Sequence, residues 1–144
     1  MSRADFWCRV LGWAHIVGGA IVTFLIFTVA RLIGLDLFNE IAAAVIPWLL
    51  FVFVALPELL AGIFTLRFAG HVQGAREGVR GRSHITLRVL MGLAGLWSAG
   101  VIGLFGLSLP QLGLFSVMGL VTAVLAALGP DATADLIRPA GATS

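Results

Sequence analysis

The sequence predicts an all-α integral membrane protein: a four-transmembrane-helix bundle with both termini on the cytoplasmic side. Three observations carry this. The 144 residues are 60% hydrophobic and only 11% charged, with a mean hydropathy of +1.07. Soluble domains carry about 25% charged residues, and a water-soluble fold this small could not hide so much apolar surface. The apolar residues fall in runs long enough to cross a ~30 Å hydrocarbon core at ~1.5 Å per residue. Finally, drawing four crossings collects the arginines on one side.

The first predicted span covers residues 10–30. It is apolar apart from His15 and two Thr, and Arg9 and Arg31 bracket it. Arg3 and Arg9 ahead of an apolar run also suit a signal peptide. The run is 21 residues long with no small-x-small cleavage site after it, so it reads as a retained span. Residues 31–40 form a short interfacial connector with Asp36, Asn39 and Glu40, and Asn39 is placed to cap the next helix.

Residues 41–66 carry a single charge, Glu58. This stretch is longer than a perpendicular crossing needs. Either the helix tilts, or 41–46 lies at the interface and the second span covers 47–66 from Pro47. Trp48 suits the second option, because Trp favours the headgroup zone. Residues 68–87 then read as a polar cytoplasmic loop with His71, Arg76, Arg80, Arg82 and His84. Its glycines at 70, 74, 78 and 81 argue against a long helix.

Residues 89–130 contain no charge over 42 positions. One helix of that length would run about 60 Å, twice the hydrocarbon core. The stretch must therefore fold back at Ser108-Leu-Pro110-Gln111, which gives spans at 89–107 and 112–128. Gly129-Pro130 stops the last helix, and the tail beyond it reads as short and loosely ordered. The whole chain, 1–144, is one domain.

Orientation follows from arginine placement. The N-terminus, middle loop and C-terminus share one side and hold Arg3, Arg9, Arg67, Arg76, Arg80, Arg82, Arg88 and Arg138. The opposite side holds only Arg31, offset by Asp36 and Glu40. By the positive-inside rule the shared side is cytoplasmic. Nine Arg with no Lys, together with much Ala and Gly, suggest a GC-rich bacterial genome and hence an inner (plasma) membrane. The single cysteine, Cys8, excludes an intramolecular disulfide. No internal repeat is visible.

Helices in lipid associate through close backbone contact at small residues. Span three carries Gly92, Gly95, Ala99, Gly103 and Gly106 on one face, and span four carries Ser116, Gly119, Ala123 and Ala126. These faces are expected to meet inside the chain or to contact another subunit or copy. Gly12, His15, Gly19 and Thr23 share a stripe of span one, as do Ala55, Glu58, Gly62 and Thr65 of span two. Both ionisable residues therefore face inward.

Glu58 is the most informative residue. It lies nine residues inside Arg67, about 13–14 Å deep. Charges at such depth are costly, and their side chains face a bundle interior or a wet cavity. Pro57 removes an N–H, frees the Phe53 carbonyl and should kink span two at the acid. That combination suits a proton, a cation or a ligand amine. His15 lies six residues past Arg9, about 9 Å deep. A His15–Glu58 hydrogen bond is geometrically possible if spans one and two are neighbours. The structural alternative is that both residues only fix helix register.

Arg76, Arg80 and Arg82, with Arg67 and Arg88, form a juxtamembrane cluster of the kind that contacts anionic lipid; their alternative role is to set topology. His71 and His84 give only a weak metal or haem signal. Trp7 and Trp13 suit an interfacial belt, and Trp97, nearer mid-span, needs a partner for its N–H.

No cofactor, nucleotide or catalytic motif stands out, and no nucleic-acid partner is expected. The expected partners are the lipid bilayer and other membrane subunits or further copies of the chain. One functional expectation is a non-catalytic accessory or assembly subunit of a larger membrane complex. Another is an oligomeric small transporter or channel, with Glu58 as a proton- or cation-binding site. In size, span number and lone intramembrane Glu, the chain is similar in outline to small multidrug-resistance transporters. It departs from them in carrying the acid in the second span and in having no Tyr. A membrane enzyme or redox module would have only His15, Glu58, His71 and His84 to use.

Overall fold

The computed structural model describes residues 3–30, 32, 39–76, 85–106 and 113–136. They form four long helices, with no strand among the described residues. Helix α1 runs Arg3–Leu25 and continues through a π-helical turn, Ile26–Ala30. Helix α2 joins Glu40–Leu50, a π-helical turn Phe51–Ala55, and Leu56–Arg76. Helix α3 is Ile85–Gly106, and α4 is Gly113–Asp135. All four are long and apolar enough to cross a membrane.

Local chemistry explains where these helices start and bend. Asn39 is extended, and its side chain accepts the Ala42 N–H at 2.8 Å, an N-cap worth about 1 kcal/mol. Ahead of Pro57 the helix widens, and the Leu56 N–H reaches back to the Phe51 carbonyl. The widening relieves the clash between a proline ring and the carbonyl four residues earlier. That carbonyl, on Phe53, instead accepts the Trp97 Nε1–H at 2.8 Å. Thus one bond satisfies both the group freed by the proline and the indole of span three.

The helices run up and down in alternation. Gly12 faces Gly62 and Leu66 while Gly19 faces Leu59, so α1 and α2 are antiparallel. Gly95 faces Gly119 while Gly103 faces Ser116, so α3 and α4 are antiparallel too. Helix α2 is central and packs against each of the others. Arg9, Arg67 and Arg88 gather at one end of the bundle. There Ala4, Cys8, Phe68, Ala69, Val72, Met91 and Ala126 form the apolar core.

Two expectations are corrected. Residues 68–87 are not loop throughout, because α2 continues to Arg76. The glycines lower helix propensity by about 1 kcal/mol each. Added methyl groups at Gly70 and Gly74 would meet nothing within 4 Å, so these glycines face open space. On the opposite side Phe68 and Val72 are buried against α1 and α3. Burying such side chains is worth about 1.5–3 kcal/mol each, which outweighs the propensity cost. The tail likewise stays helical to Asp135 after a break at Gly129, whose φ of 85° only glycine adopts readily. Pro130 suits the first turn of a new helical segment, and buried Thr133 donates to the Gly129 carbonyl at 2.7 Å. The 108–111 turn, most of the 31–40 connector, Arg80 and Arg82 lie outside the described residues.

Candidate functional site: a four-helix polar network

Each helix contributes one polar residue to a single level of the bundle. The contributors are His15 of α1, Glu58 of α2, Ser98 of α3 and Thr122 of α4, and none is more than 1% exposed. Their meeting follows from the glycines. His15 lies three residues after Gly12, Glu58 four before Gly62, Ser98 three after Gly95 and Thr122 three after Gly119. Each polar side chain therefore sits one helical turn from its helix's closest crossing.

The crossings themselves are tight. A methyl group added at Gly119 would lie 2.6 Å from the Gly95 carbonyl oxygen, and one at Gly95 would lie 2.7 Å from that of Gly119. One at Gly62 would lie 2.8 Å from the Gly12 carbonyl oxygen. Backbones this close draw the next turn's side chains to the bundle axis. The small faces of α3 and α4 also meet at Gly103–Ser116 and Gly92–Ala126. In addition, Ser116 Oγ donates to the Ala99 carbonyl at 2.9 Å, and the Ala123 nitrogen lies beside Gly95.

The network is continuous. His15 Nδ1 lies 2.6 Å from Glu58 Oε1, and His15 Nε2 lies 2.8 Å from Thr122 Oγ1. The Ser98 hydroxyl donates to Glu58 Oε2. Both carboxyl oxygens and both ring nitrogens are engaged, each pair reaching two different helices.

Counting protons shows what the arrangement can do. The Oε1···Nδ1 contact needs one proton between its two atoms. Two states keep the pair neutral overall: a carboxylic acid with a neutral imidazole, or a carboxylate with an imidazolium. In both, Nε2–H donates to Thr122 and Ser98 donates to Oε2. The 2.6 Å separation thus has the geometry to place one proton between oxygen and nitrogen.

The other sequence candidates sit elsewhere. Pro57 is half-buried and borders the network through its neighbour Glu58. Arg76 is the last residue of α2. Arg88 lies in the first turn of α3 and caps α4, with Nε–H and an Nη2–H donating to the Ala126 and Ala127 carbonyls at 2.8 and 2.6 Å. His71 lies on the extension of α2 and His84 is outside the described residues. Among the described residues, no three His, Cys, Asp or Glu side chains gather in a metal-binding group.

Ser98 and Thr122 are the members that sequence reasoning missed. Their signal was a hydroxyl three residues after a glycine of each small-residue face. Hydroxyls are common in apolar helices, where they bond their own backbone, as Thr23 and Thr65 do. Comparison with protein-family models, curated proteins and solved structures gives no match for this chain.

Proposed function

We propose that this chain is a multi-pass protein of a bacterial inner membrane, with both termini and the α2–α3 connection cytoplasmic. In this reading it serves as a non-catalytic accessory or assembly subunit of a larger membrane complex. The positive-inside count of eight arginines against one supports the orientation.

The closed network is the observation that carries the subunit reading. Glu58 and His15 are fully buried, and all four of their polar side-chain atoms hold other helices of the same chain. Their chemistry is used to fix the bundle. What the bundle offers outward is apolar: Trp13, Phe24, Trp48, Leu93 and Leu104 are among its most exposed large side chains. Native mass spectrometry of the protein extracted from its own membrane in mild detergent tests this. Stoichiometric partner chains are expected. A chain that flies alone across several mild detergents overturns the reading.

One observation favours a second reading. A His–Glu pair sharing a proton within the hydrocarbon is also the chemistry of a proton-coupled carrier. In that case the bundle would open, alone or as an oligomer, to expose Glu58 alternately to the two sides. The test is proton-driven flux in reconstituted vesicles. A Glu58→Gln protein that transports as well as wild type removes this reading.

A further inference from the structure

The α3–α4 contact is not uniform along its length. It is closest at Gly95–Gly119, where an added methyl group would strike backbone at 2.6–2.7 Å. One turn nearer the arginine-bearing end it relaxes: a methyl at Gly92 would lie 3.6 Å from Ala126 Cβ, an ordinary contact. Between the helices there lies an open groove of about 490 Å³. Its walls include Gly92, Leu93, Leu96, Ala123 and Ala126, with Arg88 at one end. Leu93 and Leu96 are exposed, so the groove opens on the outer surface of the bundle. From Arg88 to Leu96 it follows α3 for about 12 Å.

Arg88 makes the groove more than a gap between small residues. Its guanidinium has five N–H donors. The bonds to the Ala126 and Ala127 carbonyls place it over Gly129, at the C-terminal end of the main segment of α4. Neutral carbonyls fix the group without cancelling its charge. Among the described residues Arg88 forms no ion pair. A held cation thus stands at the mouth of an apolar channel that runs into the hydrocarbon.

We infer that this groove binds an anionic phospholipid, with one acyl chain lying along Gly92–Leu96 and the phosphate on Arg88. Charge complementarity selects the occupant. Any lipid tail can fill the apolar part, but only a headgroup with net negative charge gains from a cation held at this depth. Basic pockets between transmembrane helices bind anionic headgroups in this manner. The assigned residues do not include Arg76, Arg80 or Arg82, and the inference does not depend on the subunit or carrier readings.

The experiment uses the full chain in nanodiscs of equal phosphatidylglycerol and phosphatidylethanolamine, with retained lipid counted by native mass spectrometry after release into detergent. Wild type is expected to retain phosphatidylglycerol about fivefold over phosphatidylethanolamine, the factor that one interfacial arginine carries. Arg88→Gln should abolish that preference. Gly92→Leu, which fills the groove but leaves the cation, should lose the retained lipid. Ala127→Leu blocks the same groove from an exposed position and serves if Gly92→Leu fails to fold. A paired Arg80→Gln, Arg82→Gln variant should retain lipid as wild type does. Equal retention of the two lipids by wild type overturns the inference. So does undiminished retention in the groove-filled variant, and so does loss of retention in the Arg80, Arg82 pair.

Discussion

The two hairpins of this bundle use one device with different chemistry. Helices α1 and α2 cross at Gly12 and Gly62, and α3 and α4 cross at Gly95 and Gly119. One turn from its crossing, the first hairpin carries the ionisable residues, His15 and Glu58. The second carries only hydroxyls, Ser98 and Thr122. The difference has a physical use. A His–Glu pair alone would leave one ring nitrogen and one carboxyl oxygen buried without partners. The hydroxyls of the second hairpin supply those partners at no cost in charge. The polar layer therefore joins two hairpins that are each already closed by glycine contact, and it does so only in one register.

If that division is right, the first hairpin's pair should dominate stability. His15→Leu removes bonds to two other helices and leaves Glu58 Oε1 without its partner, while Ser98 still donates to Oε2. It is expected to cost about 3–5 kcal/mol, the range for breaking a buried pair by removing one partner. Glu58→Leu should cost a similar amount, and the double variant less than the sum of the two. Reversible unfolding in mixed micelles of denaturing and mild detergent would measure all three. Additive costs would mean that the two residues act separately, and the network would lose its central link.

The glycine crossings come next in size, and here the hairpins should differ. At Gly119 an added methyl group meets the Gly95 carbonyl oxygen at 2.6 Å and the Ala99 nitrogen at 2.9 Å, both of them backbone atoms. At Gly12 the nearest atoms belong to the flexible side chain of Leu66, and the Gly62 carbonyl oxygen lies at 3.1 Å. Gly119→Ala should therefore cost about 1–3 kcal/mol, as over-packing does, and Gly12→Ala clearly less. The same unfolding assay decides. Equal losses at the two sites would show that the first crossing is as rigid as the second.

The sequence made some of this architecture legible and concealed the rest. Four long apolar helices follow from run length alone, because hydrocarbon thickness fixes how many residues a crossing needs. The inward placement of His15 and Glu58 follows from small residues three and four positions away. The extension of α2 to Arg76 was hidden because Gly70 and Gly74 speak against a helix locally, whereas the burial of Phe68 and Val72 that holds it is tertiary. Ser98 and Thr122 were hidden for a related reason. A hydroxyl in an apolar helix bonds its own backbone by default, so only the packed geometry shows which ones reach across.

The smallest expected effect separates the hairpins once more, through the π-helical turns of α1 and α2. In α1 the turn is supported from within, since Thr28 Oγ1 donates to the Phe24 carbonyl at 2.7 Å. In α2 it is supported from the other hairpin, by Trp97 Nε1–H on the Phe53 carbonyl. A single interhelical bond of this kind contributes about 0.6 kcal/mol in a membrane protein. Trp97→Phe keeps an aromatic ring and removes the donor. It should leave global unfolding nearly unchanged while roughly tripling amide exchange in peptides covering 51–57, the factor that about 0.6 kcal/mol carries at 25 °C. Thr28→Val should instead raise exchange near 26–30 and leave 51–57 as it was. If Trp97→Phe left exchange at 51–57 untouched, the widened turn would be held by Pro57 alone, and the second hairpin's grip on α2 would reduce to Ser98 and packing.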